Sequence, residues 1–284
     1  MSIRPMLASA TLRLPTGDAF DRAYSTNWAL EEKLDGHRCI IRVHRDEIEA
    51  WSRPQPGKGG VGLTRAIPPA MKATLRSLPS GDYDGELVAA SGKAWDVVRK
   101  NTHLVFVAFD CLRFVDIDMT GQPYDKRRGA LLDALAKLPP NQDTVSTVFS
   151  RTPSWADVQA IWARGGEGAI LKRRDSLYHP GARSSEWLKL KTTLPATLKI
   201  VGFEAGKSGP YSALRLVGAD GVETTVKVLT DELRRAITQD PTAHVGRQVV
   251  IHFQERTPSG TYRHGRFDHF AGPAEVIPFA PRRS

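Results

Sequence analysis

Glu31-Glu32-Lys33-Leu34-Asp35-Gly36-His37-Arg38 is the stretch whose reading decides the fold of this chain. One lysine stands among acidic neighbours, followed by a glycine read as a turn and by an arginine. Trp28–Glu32 before it reads as a strand. Beyond it, Cys39-Ile40-Ile41-Arg42-Val43, a polar turn at Arg45-Asp46-Glu47 and the returning run Ile48–Ser52 read as a β-hairpin. A lysine attacks only as the neutral amine, and its free pKa is about 10.4, so a nucleophilic lysine needs burial or nearby cations. The bland alternative is a surface hairpin whose charges pair off, because turn residues with solvated charges are common.

At 284 residues the chain has room for two domains, and 40% hydrophobic with 25% charged residues is an ordinary globular composition. The net charge of +9 favours a polyanionic partner such as nucleic acid. Residues 1–193 carry 28 basic and 22 acidic side chains and residues 194–284 carry 12 and 9, so the fold, not a basic tail, has to assemble any such surface. Cys39 and Cys111 lie in apolar runs and read as buried small hydrophobes of a reducing compartment. No segment approaches the ~20 apolar residues of a membrane span, and the N-terminus does not read as a signal peptide. The expectation is a cytoplasmic protein with no membrane contact.

Helices are expected near Asp18–Tyr24, Pro68–Leu78, Asp125–Leu138 (basic-faced) and Trp155–Arg164. Strands are expected at Tyr83–Ala89, His103–Phe114, Glu167–Lys172 and Glu186–Lys191, the last placing Lys189 and Lys191 on one face. After Pro195, strands at Thr197–Glu204, Ala213–Gly218, Glu223–Leu229 and Gln248–Gln254, with one helix at Asp231–Thr238 capped by Thr230, suit a small barrel. Two glycine runs are decoys. Gly57-Lys58-Gly59-Gly60-Val61-Gly62 lacks the flanking strand and helix of a dinucleotide fingerprint, and Gly202–Ser208 is one residue short of a P-loop and is followed by Gly209-Pro210.

Five segments stand out together: Lys33-Leu34-Asp35-Gly36-His37-Arg38, Ser52-Arg53, Asp84-Gly85-Glu86, Glu167-Gly168 through Lys172, and Lys189-Leu190-Lys191. In this order and spacing they resemble the covalent nucleotidyltransferase superfamily, and within it the ATP-dependent DNA ligases. The resemblance covers nearly the whole chain and implies an α+β protein. Residues 1–193 would form an ATP-grasp-like adenylation domain and residues 194–284 a small OB-fold β-barrel. The compactness is similar to that of phage or accessory bacterial ligases, which would place a phage-encoded form in the host cytoplasm.

The resemblance also implies roles. Lys33 would attack the α-phosphorus of ATP, with Asp35 orienting it. Glu31 and the backbone beside it would meet the adenine amino edge, and Glu32 would border the nucleotide. Phe109 and Ile170 would stack on the two faces of the base, and Glu86 would hold the ribose. Arg38 and Arg53 would contact phosphate or the nicked strand, and Lys189 and Lys191 the α-phosphate, with Arg183 in the same shell. Glu167, with Glu86, would hold Mg²⁺ or Mn²⁺, since hard oxygen ligands suit those ions. The implied partner is nicked double-stranded DNA, bound by a monomer. The final motif region departs from the family: Arg263-His264-Gly265-Arg266-Phe267 lacks a following Asp-Lys, which leaves pyrophosphate orientation to Arg263, Arg266 or Arg282-Arg283. An RNA ligase or capping-type nucleotidyltransferase shares the lysine chemistry, and a non-catalytic OB-type nucleic-acid-binding protein is the alternative of another class. Without the motifs, Phe109 reads as core, Glu167 as a turn cap, Lys189 and Lys191 as a solvated strand face, and His179 and His264 as bland.

Overall fold

The architecture was read from a computed structural model, which describes residues 4–10, 15–45, 47–53, 67–90, 97, 103–191, 194–206, 209–227, 231–257 and 259–272. The chain divides into two compact units, Met1–Leu190 and Lys191–Ser284. The division falls three residues before the boundary expected from sequence, so Lys191 belongs to the second unit.

The first unit holds strands β1 (Leu7–Ala10), β2 (Trp28–Glu32), β3 (His37–His44), β4 (Glu47–Ser52), β5 (Gly81–Ala89), β6 (Leu104–Phe114), β7 (Ile117–Asp118), β8 (Val145–Thr147), β9 (Ser150–Arg151), β10 (Gly168–Arg173) and β11 (Arg183–Lys191). Its helices are α1 (Asp18–Tyr24), α2 (Pro69–Leu75), α3 (Tyr124–Leu135) and α4 (Trp155–Ala163). One sheet runs β1-β11-β10-β2-β9. The other runs β4-β3-β5-β6-β7, with β8 added to β6.

Strand alternation sorts the side chains into three apolar layers. Leu30, Ala169, Leu171, Leu188 and Leu190 pack with Phe20 of α1 and with Val158 and Ile161 of α4 on one side of the first sheet. Cys39, Ile41, Tyr83 and Phe106 pack against α2 and α3 on one side of the second. A third layer joins the remaining faces, with Ile40, Phe109 and Leu112 from the second sheet meeting Trp187 from the first. Both cysteines are buried, as expected.

Two irregularities position the site. In the β5–β6 pairing, Gly85 faces Ala108 and Asp84 faces Asp110, while Tyr83 faces Cys111 and Asp82 faces Arg113. Phe109 and Leu112 are therefore the extra residues of two β-bulges, and both turn into the layer between the sheets. Gly36 is also not the turn residue expected. β2 and β3 belong to different sheets, so residues 33–36 cross between them. A Cβ on Gly36 would lie 2.3 Å from the Leu87 carbonyl oxygen, so the glycine is needed for close passage along β5.

α3 closes one end of this layer. The sequence suggested a basic-faced helix, yet Tyr124 and Arg127 are both fully buried. Arg127 forms two bonds to Asp110, at 2.8 and 3.0 Å, and donates to the carbonyls of Gln122 and Ser176 at 2.7 and 2.8 Å. Those bonds satisfy a charge that could not otherwise be buried.

The second unit contains β12 (Leu194–Gly206), β13 (Gly209–Val217), β14 (Glu223–Val226), α5 (Asp231–Gln239), β15 (Gln248–Phe253), β16 (Glu255–Arg256), β17 (Tyr262–Arg263) and β18 (Arg266–Phe270). Its antiparallel sheet runs β14-β13-β12-β15-β18 around a core that includes Leu198, Leu214, Ile237 and Ile251. The Gly202–Gly206 decoy is the end of β12, leading into its hairpin with β13. Thr230, the 57–62 glycine run and Arg282-Arg283 lie outside the described residues.

The Arg127 arrangement predicts that Arg127→Met, which strands Asp110, lowers unfolding free energy by about 3–5 kcal/mol. The double variant Asp110→Asn/Arg127→Met should recover much of that loss. Urea denaturation checks both, and equal losses in the single and double variants would contradict the account.

Candidate active site

A cleft opens between the two sheets of the first unit. Glu31, Glu32, Lys33 and Leu34 line one part of it, and Arg38, Glu86 and Phe109 another. Ile170, Lys172 and Trp187 complete the wall, with Ala8 at its edge. Alternation explains the selection: Ala169 and Leu171 of β10 enter the helix-side core, so Ile170 and Lys172 face the cleft.

Lys33 sits where the chain leaves β2. Its backbone N–H donates to the Gly168 carbonyl at 2.8 Å, which extends the β2–β10 pairing by one residue. Its Nζ is ion-paired with Glu167, just before β10. Glu86, on β5, is pushed up to about 7, mainly by burial; Arg38 and Lys33 oppose the shift, while Glu167 and Asp84 add to it.

The innermost wall is built around Lys172. Its ammonium is buried, 2.7 Å from Glu31 and 3.1 Å from the Phe109 carbonyl oxygen that the bulge exposes. The rings of Trp187, Phe109 and Tyr124 surround it at 4.3, 4.6 and 4.9 Å. Burial holds this ammonium below the usual lysine range, and Glu31 opposes that shift. Glu31 also accepts a hydrogen bond from the Tyr124 hydroxyl.

Several of the residues expected at the site have partners of their own or lie away from the cleft. Both oxygens of Glu31 have partners, one in Tyr124 and the other in Lys172. Arg38 grips Asp84 with two 2.6 Å bonds and lies 4.5 Å over the Phe109 ring, so it braces the wall. Glu32 pairs with Arg164 at 2.5 Å. Asp35, Arg53, Arg183, Lys189 and Lys191 do not line the cleft. Arg53 is exposed at the end of β4, and Arg183 donates to the Ala8 carbonyl at 2.5 Å. Lys189 lies on the same side of β11 as Trp187, while Lys191 donates to Gln254 at 3.3 Å within the second unit. Arg263 is paired with Glu255 at 2.5 Å.

Sequence reasoning assigned no role to Lys172, Tyr124, Trp187, Asp84 or Arg127. The alternation of Ile170 and Lys172 was the available signal for the first; a buried partner for Glu31 was the missing one.

Among the described residues no group of three or more His, Cys, Asp or Glu is placed to hold a metal. Glu86 and Glu167 still suit Mg²⁺, which takes one or two protein carboxylates and fills its remaining positions with water and substrate phosphates.

The raised Glu86 pKa has a stability consequence with a definite sign. A carboxyl whose folded pKa exceeds its unfolded value keeps its full contribution below the unfolded pKa. It loses stability as pH rises to the folded pKa, here about 7. In nucleotide-free protein with chelator, Glu86→Gln should stabilise by about 1–3 kcal/mol at about pH 8 and by little near about pH 4.5. Urea denaturation at both values checks this, and a pH-independent effect would count against it.

Comparison with known proteins matches this chain to a family. The profile described as the ATP dependent DNA ligase domain matches residues 5–191. DNA ligase C2 of Mycolicibacterium smegmatis is 29% identical over 255 residues, covering 80% of this chain and 65% of that protein. A probable DNA ligase of Streptomyces griseus is 30% identical, covering 81% of this chain and 50% of its own length. The chain thus spans between half and two thirds of these two relatives. Among solved structures, a Lig E DNA ligase is similar in fold, with a TM-score of 0.68 at 23% identity, over 95% of this chain and all of that one. The chain belongs to the ATP-dependent DNA ligase family.

Proposed function

We propose that this protein seals nicks in duplex DNA with ATP in three steps, two transfers of one adenylate followed by its displacement. Lys33 Nζ, as the neutral amine, attacks the α-phosphorus of ATP; a P–N bond forms, the bond to the β-phosphate oxygen breaks, and pyrophosphate leaves. The 5′-phosphate at the nick then attacks the same phosphorus and takes the AMP, returning Lys33 to its starting state. The 3′-hydroxyl attacks the activated 5′-phosphate, a phosphodiester forms and AMP leaves. The observation that carries this reading is Lys33 at the mouth of a cleft whose walls bring Phe109, Ile170 and Glu86 together, in a chain of this family.

In this reading Phe109 and Ile170 hold the adenine between them, Glu86 meets the ribose, and the backbone of Glu31 and Glu32 meets the amino edge. Lys189 and Lys191 approach the α-phosphate, and Arg53 and Arg183 serve the phosphates or the DNA strand. Asp35 orients Lys33. Glu167 and Glu86 would hold Mg²⁺ or Mn²⁺, which would supply charge neutralisation for the phosphates, since phosphoryl-type transfer asks mainly for positioning and electrostatic stabilisation. Residues 1–193 are read as the ATP-grasp-like adenylation domain and residues 194–284 as an OB barrel. The five-stranded antiparallel sheet and the helix α5 of the second unit support the latter. The protein is read as acting as a monomer in the cytoplasm.

Lys33→Ala should seal no nick from ATP, yet should still join a nick whose 5′-phosphate already carries AMP, because that step does not need the amine. Gel analysis of both substrates tests this; ATP-dependent sealing by the variant would sink the proposal. GTP or an all-RNA nick should give much weaker sealing than ATP with nicked DNA, and preference for either would favour a capping or RNA-ligase reading. DNA affinity, measured by fluorescence anisotropy, should fall at least about tenfold from low to physiological salt as phosphate contacts release counterions. A salt-independent affinity would contradict it.

A further inference from the structure

A second hollow of the first unit adjoins the cleft, and the three steps above give it no part. The two share Glu32 and Leu34, so the hollow opens on the residues that flank Lys33. Leu34, Val107 and Ile161 give it an apolar floor, and Phe149, Arg151 and Arg164 form its rim.

Phe149, 71% exposed, is the most exposed large apolar side chain among the described residues. A lone exposed phenylalanine needs no explanation, but this one is held out by its surroundings. Residues 148 and 149 carry the chain from β8, paired with β6 of the second sheet, to β9, paired with β2 of the first. Arg128 of α3 fixes that crossing, donating to the Thr147 hydroxyl and to the Val148 carbonyl at 2.6 Å each. The Val148 side chain is buried in the layer between the sheets, and its neighbour Phe149 faces solvent. Exposure set by the backbone in this way pre-organises the ring for a ligand.

The rim identifies the class of ligand. The Arg151 guanidinium lies 4.6 Å over the Phe149 ring and 2.7 Å from Asp157, and Arg164 lies 2.5 Å from Glu32. These four charged side chains keep 28–51% exposure. Exposed pairs of this kind are worth only about 0–1 kcal/mol, so either guanidinium can turn to a phosphate at little cost. Arg128, bonded to uncharged acceptors, adds a third positive charge beside the two carboxylates. An aromatic face set among guanidinia suits a nucleobase with its flanking phosphates. An acidic peptide would use the arginines and leave the ring idle.

We infer that this hollow seats the DNA strand next to the nick, with Phe149 packed against a base and Arg151 and Arg164 on the phosphates either side of it. This rests on the nick-sealing reading above, which brings a DNA 5′-phosphate to Lys33, one residue from both shared lining positions.

The test uses the full chain, wild type and Phe149→Ala, on a nicked duplex. The ring is exposed, so the variant should fold as wild type does, and without DNA its Lys33 should take up AMP from ATP at the wild-type rate. Its KM for nicked DNA should rise about five- to a hundredfold, the range of one lost base–aromatic contact, and Phe149→Trp should keep the wild-type value. Arg151→Gln should lower the slope of log affinity against log salt by about 1. An unchanged KM in Phe149→Ala would overturn the inference and leave the hollow to a protein partner. An equal loss of adenylation would overturn it too, since the ring would then serve the nucleotide site. An unaltered salt slope would remove Arg151 from the DNA. If wild type itself seals no nick, the ligase reading fails first and separately.

Discussion

The buried ion pair between Lys172 and Glu31 is the constraint around which the first unit is arranged. Taking an ammonium and a carboxylate out of water costs several kcal/mol each unless partners replace the lost hydration. Here they do. Glu31 sits 2.7 Å from the ammonium, and the Phe109 carbonyl adds a 3.1 Å bond. The rings of Trp187, Phe109 and Tyr124 cover the rest at 4.3 to 4.9 Å. Each partner comes from a different element: Glu31 from β2, Phe109 from the bulge in β6, Tyr124 from the first turn of α3, and Trp187 from β11. Satisfying one buried charge therefore brings two sheets and a helix together at the inner wall of the cleft.

The same arithmetic governs the layer beneath. Asp84 and Asp110 are fully buried on adjacent strands, facing each other in the β5–β6 register. Two such carboxylates side by side would repel without compensation. Arg38 answers the first and Arg127 the second, each through two bonds. These arginines frame Phe109, one over its ring and the other through the residue after it in the chain. The ring proposed to stack on adenine is thus held on a wall of paired charges, and pre-organisation of this kind lowers the ordering cost of binding.

Much of this was legible in the sequence, for reasons that particular residues make clear. The hydrophobic periods placed β5, β6, β10 and α4 within a few residues, because each is apolar on at least one face. Lys33, Glu86, Phe109 and Ile170 were expected together through the family resemblance, and the fold brings them into one cleft. What was not legible depends on register and pairing. An apolar run such as 104–114 does not reveal that Phe109 and Leu112 are skipped in the ladder. The arginine-rich first turns of α3 read as a solvent face, because the acid that buries Arg127 is Asp110, on another element. Gly36 read as a turn because the obstruction it avoids, the Leu87 carbonyl, belongs to a strand fifty residues on. Strand register, a charge pairing and a steric obstruction, each with a distant element, decided these three cases, and local pattern carries little of any of them.

Lys33 stands apart from the braced wall. Its partner Glu167 lies on the approach to β10, and both side chains keep some exposure, 23% and 11%, so their pair can open where the Lys172 pair cannot. The account therefore places the reactive amine at Lys33 alone, with Lys172 held as structure. The most direct measurement is to incubate the full chain with ATP and a divalent cation, digest it, and locate the adenylate by peptide mass. A single acid-labile, alkali-stable adduct on the Lys33 peptide is the result the account predicts. An adduct on Lys172, Lys189 or another lysine, or no adduct while nicks are still sealed, would contradict it.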